Sequence, residues 1–127
     1  MGRARPHRWG PPGEAAARVR EALDWAVAFD GYLDATEAAG AMAAVALIAA
    51  RLGAPVEDER AREVLAARPF EAGAGLVEHA LRAWDRVTAA TGSEWHDLWA
   101  DVGRLPEVLA LHEPYRAALA AARDQAV

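Results

Sequence analysis

Apolar residues return at helical intervals along most of the chain. Between Glu14 and Ala28, Val19, Leu23, Ala26 and Val27 fall on one stripe and Arg20, Glu21 and Asp24 on the other side, which predicts an amphipathic helix. Phe29-Asp30-Gly31-Tyr32-Leu33 breaks that pattern. Asp34-Ala35-Thr36-Glu37 then has the spacing of a capping box and opens a second helix running to Leu52, where Gly53 and Pro55 stop it. This helix is apolar almost all round, from Ala38 to Ala50, so it belongs at the centre of a bundle.

The pattern continues with a short charged helix at Glu57–Ala67 and a loop from Arg68 to Gly75. A strongly amphipathic helix follows at Leu76–Thr91, with Leu76, Val77, Ala80, Leu81, Trp84 and Val87 inward, Glu78 and Arg82 paired outside, and Gly92 as its stop. Ser93 then caps a short helix with Trp95, Leu98, Trp99 and Val102 on one face. Leu105–His112 and Pro114–Ala126 form a final helix with a bend expected at Pro114. No segment alternates as a strand would. The expected fold is all-α: a compact single-domain bundle of about five to six helices around a central alanine-rich helix.

Composition narrows the chemistry. The 127 residues hold no cysteine, which excludes disulfides, zinc–thiolate centres and a cysteine nucleophile. All 14 cations are arginine, so a lysine Schiff base and a P-loop lysine are excluded as well. There is no asparagine and a single isoleucine, Ile48, against 34 alanines, a bias that fits a GC-rich bacterial genome. The formal net charge is −5, unevenly spread. Residues 1–13 form a basic Pro/Arg-rich arm with Arg3, Arg5 and Arg8, and the helical domain at 14–127 sets eleven arginines against nineteen acids, a net of −8. The arm has no apolar run behind its charges, and the longest uncharged stretch, Ala38–Ala50, is too short to span a bilayer, so a cytoplasmic protein without a membrane segment is expected.

Few residues propose a site. Asp30 to Glu37 resembles the second half of an EF-hand loop, but Ala26 and Ala28 stand where the first carboxylates belong, and a turn followed by a helix cap uses every residue. The densest group of candidate ligands is Glu94, His96, Asp97 and Asp101. Asp97 and Asp101 share a helix face while His96 points about 100° away, so the group reads as a solvated acidic face at a helix N-terminus rather than a metal site. His79 and His112 read as solvent-facing. No catalytic constellation, metal site or cofactor motif is found. Trp9, outside any periodic segment, is the candidate interface tryptophan. Three arginines on an acidic body argue against nucleic-acid binding.

Gly31-Tyr32-Leu33-Asp34-Ala35-Thr36-Glu37-Ala38, Arg51-Leu52-Gly53-Ala54-Pro55, Leu81-Arg82-Ala83-Trp84-Asp85-Arg86-Val87 and Ser93-Glu94-Trp95-His96-Asp97-Leu98-Trp99 occur in an order and spacing that resembles the bacterial family catalogued as domain of unknown function 4259, over about Glu14 to Leu119. The resemblance implies a helical fold and assigns no activity. It also implies an N-terminal Met-Gly-x-Trp-Gly segment followed by an acidic run, of which Met1-Gly2 and Trp9-Gly10 remain here, and a central-helix glutamate where this chain has Ala46.

Together these readings lead to a non-enzymatic protein-binding module, immunity-like, antitoxin-like or an adaptor, whose acidic helical surface meets a basic protein partner through Trp9, Glu94, His96, Asp97 and Asp101. A small-molecule or metal-binding helical domain, with a site or even an active site near Trp84–Asp101, is the alternative. Self-association through an alanine-rich helix face is a third reading.

Overall fold

A computed structural model of the chain describes residues 12–55, 59, 63 and 72–125. All of the expected helix at 57–67 except Glu59 and Glu63, residues 1–11 of the arm with Trp9, and positions 68–71 of the loop lie outside the described residues. Five helices are present among them: α1 (Pro12–Ala28), α2 (Ala35–Arg51), α3 (Ala74–Val87), α4 (Glu94–Asp101) and α5 (Leu105–Gln125). The protein is an all-α bundle.

The alanine-rich segment is the axis of that bundle. Ala38, Ala41, Met42, Ala44, Val45, Leu47, Ile48 and Ala49 of α2 are buried, and α2 packs against each of the other four helices. Small side chains permit this, because they let neighbouring helices approach to about 8 Å between axes on more than one side. Val19, Leu23 and Ala26 of α1 and the whole expected stripe of α3 close on it. From α5 only Val108 and Leu119 are fully buried, so that helix lies across the bundle as a cover. Among the described residues no helix is long and apolar enough to cross a membrane.

Several expected boundaries shift for local reasons. Helix α1 starts at Pro12, two residues before the expected Glu14, because proline's missing N–H and fixed φ suit a first turn. Helix α3 ends at Val87, five residues before Gly92. The Thr88 hydroxyl donates to the Trp84 carbonyl at 2.8 Å and the Ser93 hydroxyl to that of Val87 at 2.6 Å, so the last carbonyls of the helix find partners early. Glu78 and Arg82 are both exposed and form no ion pair. The final helix is one element with Pro114 inside it, as expected. On α4 the expected apolar face divides: Trp95 is buried and Trp99 partly so, but Leu98 and Val102 are exposed, since nothing among the described residues covers the far end of so short a helix.

Candidate functional site

Two loops meet at one end of α2. Leu33, fully buried, donates its N–H to the Gly92 carbonyl at 2.9 Å and accepts from the Glu94 N–H at 2.9 Å, forming an isolated parallel bridge with Ser93. Gly92 takes φ +83°, a backbone conformation that favours glycine. Buried Ser93 turns its hydroxyl to Val87 and caps α4 by accepting from the His96 N–H at 3.4 Å. Arg86 locks the junction: Nη1 donates to the Gly92 carbonyl at 2.9 Å, Nη2 to that of Gly31 at 2.6 Å, and Nε to that of Phe29 at 3.4 Å. A guanidinium suits this place because its donors fan out in a fixed plane toward several acceptors.

The candidate residues from 94 to 101 belong to this junction. Glu94 accepts the Ala35 N–H at 2.7 Å, while Asp34 accepts that of Glu37 at 2.8 Å, so α2 is capped both by its own loop and by α4. Asp97 accepts the Tyr32 phenol at 2.7 Å on one oxygen, and its other oxygen lies 3.2 Å from Nδ1 of His96. His96 therefore turns toward Asp97, contrary to the expected divergence, because adjacent side chains on a first turn can bend together when one is partly buried. The Tyr32 hydrogen bond, then His96, hold the Asp97 carboxyl below its ordinary range. That same hydrogen bond, partial desolvation and the charges of Asp97, Glu94 and Asp101 push the Tyr32 phenol up to about 12. Asp101 is exposed at the end of α4. Among the described residues no group of three or more histidine and carboxylate side chains is gathered as a metal would require.

Neither remaining described histidine faces solvent freely. His79 of α3 pairs through Nε2 with Asp24 of α1. His112 is ringed by Trp84, Trp95 and Tyr115 at centroid distances of 6.4, 6.0 and 5.8 Å, its Nδ1 lying 2.9 Å from the Val108 carbonyl. This aromatic cluster ties α3, α4 and α5 together, and it accounts for two of the tryptophans by packing.

A third tryptophan has no such role. Trp25 lies outside the buried stripe of α1, 50% exposed, and stacks on Phe29 one turn later with centroids 5.8 Å apart and planes 20° apart. Two hollows flank it. One, of about 380 Å³, runs between α1 and α2 and is lined by Arg18, Glu21, Ala22, Trp25, Glu37, Gly40 and Ala43. The other, of about 340 Å³, is bounded by Glu21, Asp24, Trp25, Ala28 and Phe29. Sequence periodicity missed this ridge, although a tryptophan on the polar side of an amphipathic helix was the signal for it.

The family model described as a domain of unknown function (DUF4259) matches residues 9–110. The chain belongs to the DUF4259 family. The DUF4259 match contains the whole of α1, α2, α3 and α4 and reaches into α5, so the Arg86 junction and the Trp25 ridge both lie within the family segment. No curated protein and no solved structure matches the chain significantly.

Proposed function

We propose that the protein is a non-enzymatic protein-binding module whose acidic helical surface receives a basic partner. The observation that carries this reading is the exposed Trp25–Phe29 stack set among Glu21, Asp24 and Glu37. Large aromatic side chains left outside the core favour association, because burying them against a partner removes apolar surface that folding left wet. Their acidic surroundings select a cationic partner and speed its approach. Asp101 adds to the same net field, while Glu94 and Asp97 are already hydrogen-bonded within the molecule. The test is reversal of Glu21 and Glu37 to arginine followed by capture of partners from the source cells. Binding that survives both reversals unchanged at low salt would overturn the reading.

A second reading, a small-molecule site with proton-transfer chemistry near Trp84–Asp101, draws on one observation. Asp97 links Tyr32 to His96, and a carboxylate on Nδ1 is how an imidazole is oriented for general-base work. A thermal-shift panel of metals and metabolites on the intact chain and on His96→Ala tests it; a flat panel refutes it.

A further inference from the structure

The groove between α1 and α2 has the form of a helix seat, and this inference rests on the protein-binding reading above. Its small residues are Ala22, Gly40 and Ala43, and beyond Gly40's own helix backbone no atom of the described residues lies within 4 Å of the place its side chain would occupy. Gly40 is a costly choice inside a helix, where alanine is favoured, and the other described residues leave the space beside it empty. Trp25 stands at one edge of the groove. Arg18 to Trp25 covers about 10 Å along α1, the length of two helical turns.

The charges around this groove differ from those of the cover helix. At the start of α5 Arg104 pairs with Glu107, and along the helix Arg116 pairs with Glu113 and Arg123 lies against Asp124. Among the described residues, Glu21 and Glu37, both exposed at the groove, have no ion-pair partner, and Arg18 is the only cation in its lining. We propose that this groove receives a single helix of a partner protein, basic along the edge that meets Glu21 and Glu37 and carrying a bulky apolar anchor that packs on Trp25. Helix-in-groove recognition places such anchors at i, i+4 and i+7, which matches a two-turn seat. Charge complementarity selects a cationic helix over an acidic one.

The experiment uses the full chain and a fluorescent helical peptide of about 18 residues, with arginines on one edge and leucines at i, i+4 and i+7. A second peptide keeps the leucines and replaces arginine by glutamate. The basic peptide is expected to bind at least tenfold more tightly, roughly in proportion to the charge it brings. Trp25→Ala and Glu37→Arg should each weaken it by about tenfold or more. Gly40→Leu is the decisive variant: it improves helix propensity, alters no charge and fills the groove, so a folded protein that no longer binds supports the seat. Glu107→Arg on α5 should leave binding unchanged.

Equal binding of both peptides, or full retention by Gly40→Leu, overturns the proposal. So does a dimer in light scattering that Gly40→Leu abolishes, which would make a second copy the occupant, and so does a tenfold gain in peptide affinity on deleting residues 1–11, which would make the arm the occupant. A cellular partner held equally by the intact chain, Trp25→Ala and Gly40→Leu would overturn the groove and leave the protein-binding reading standing. No cellular partner together with flat peptide titrations would overturn both.

Discussion

Replacing Arg86 tests whether the junction is held by its guanidinium. Arg86→Leu keeps the aliphatic bulk and removes three donors at once, from the carbonyls of Phe29, Gly31 and Gly92. Two of these bonds are short, and the one to Gly92 is partly buried. A hydrogen bond from a charged donor contributes about 1.5–3 kcal/mol when sheltered and less when water competes. Counting the Gly92 bond near the lower figure, the exposed Gly31 bond at about half of it and the 3.4 Å bond at little gives about 2–3 kcal/mol in total. In a domain of this size that lowers Tm by roughly 8–12 °C and, at unchanged m, moves the urea midpoint down by about 1–2 M. Arg86→Lys retains the charge and reaches at most one carbonyl, so it should lose about half as much. Hydrogen exchange gives the local readout. The Leu33 and Glu94 amides, which form the bridge, should speed up beyond the global change, while amides in the middle of α2 should follow global stability alone. A loss below about 0.5 kcal/mol for Arg86→Leu, or a lysine variant as stable as the parent, would refute the clamp.

Further predictions address other parts of the molecule. Ser93→Ala removes the α4 cap and leaves the Val87 carbonyl without its short partner in a buried place, so chemical denaturation should show a loss of about 1–3 kcal/mol. Ala44→Leu places three further carbons where α2 is fully buried and should destabilise by about 1–3 kcal/mol, whereas Ala43→Leu, exposed one position away, should not. Ultraviolet titration of the phenols should find one tyrosine ionising near 12, and Asp97→Asn should bring it back toward 10. The same pair fixes the sign of a pH dependence. Tyr32, raised in the fold, stabilises below its ordinary value and loses that contribution as pH climbs through about 12, and Asp97, lowered in the fold, stabilises above its ordinary value and loses that contribution as pH falls through its depressed folded value. Unfolding curves of Tyr32→Phe should therefore depend less on pH at both extremes than those of the parent.

The sequence carried the helices because each announces itself locally. The 3.6-residue stripe of α3, the nearly continuous apolarity of α2 and the caps at Asp34 and Ser93 depend on residues within a few positions of one another. The junction does not. Leu33 pairs with Ser93 through one residue on each side, which leaves no alternation to detect, and Arg86 acts on carbonyls at 29 and 31 that are more than 50 positions away. Locally His112 reads as solvent-facing, but its surroundings are built by Trp84 and Trp95 from two other helices. Glu94 and Asp97 were legible as an acidic first turn, not as the cap of α2 and the partner of Tyr32. Trp25 escaped notice because α1 forms a complete inward stripe without it.

The ridge and the junction are also physically connected. Arg86 reaches the Phe29 carbonyl, and the Phe29 ring supports Trp25. The end of α1 that presents the exposed aromatic pair is thus joined through Phe29 to the junction that fastens α3 and α4 to α2. An anchor already held in place loses less conformational freedom on association, where each immobilised side chain costs about 0.5–1.5 kcal/mol. The energy spent inside the molecule on Gly92, Ser93 and Arg86 therefore has a functional consequence in the proposed reading. It fixes the direction in which Trp25 meets a partner, and it places the binding determinant on a rigid helix end instead of a loose loop.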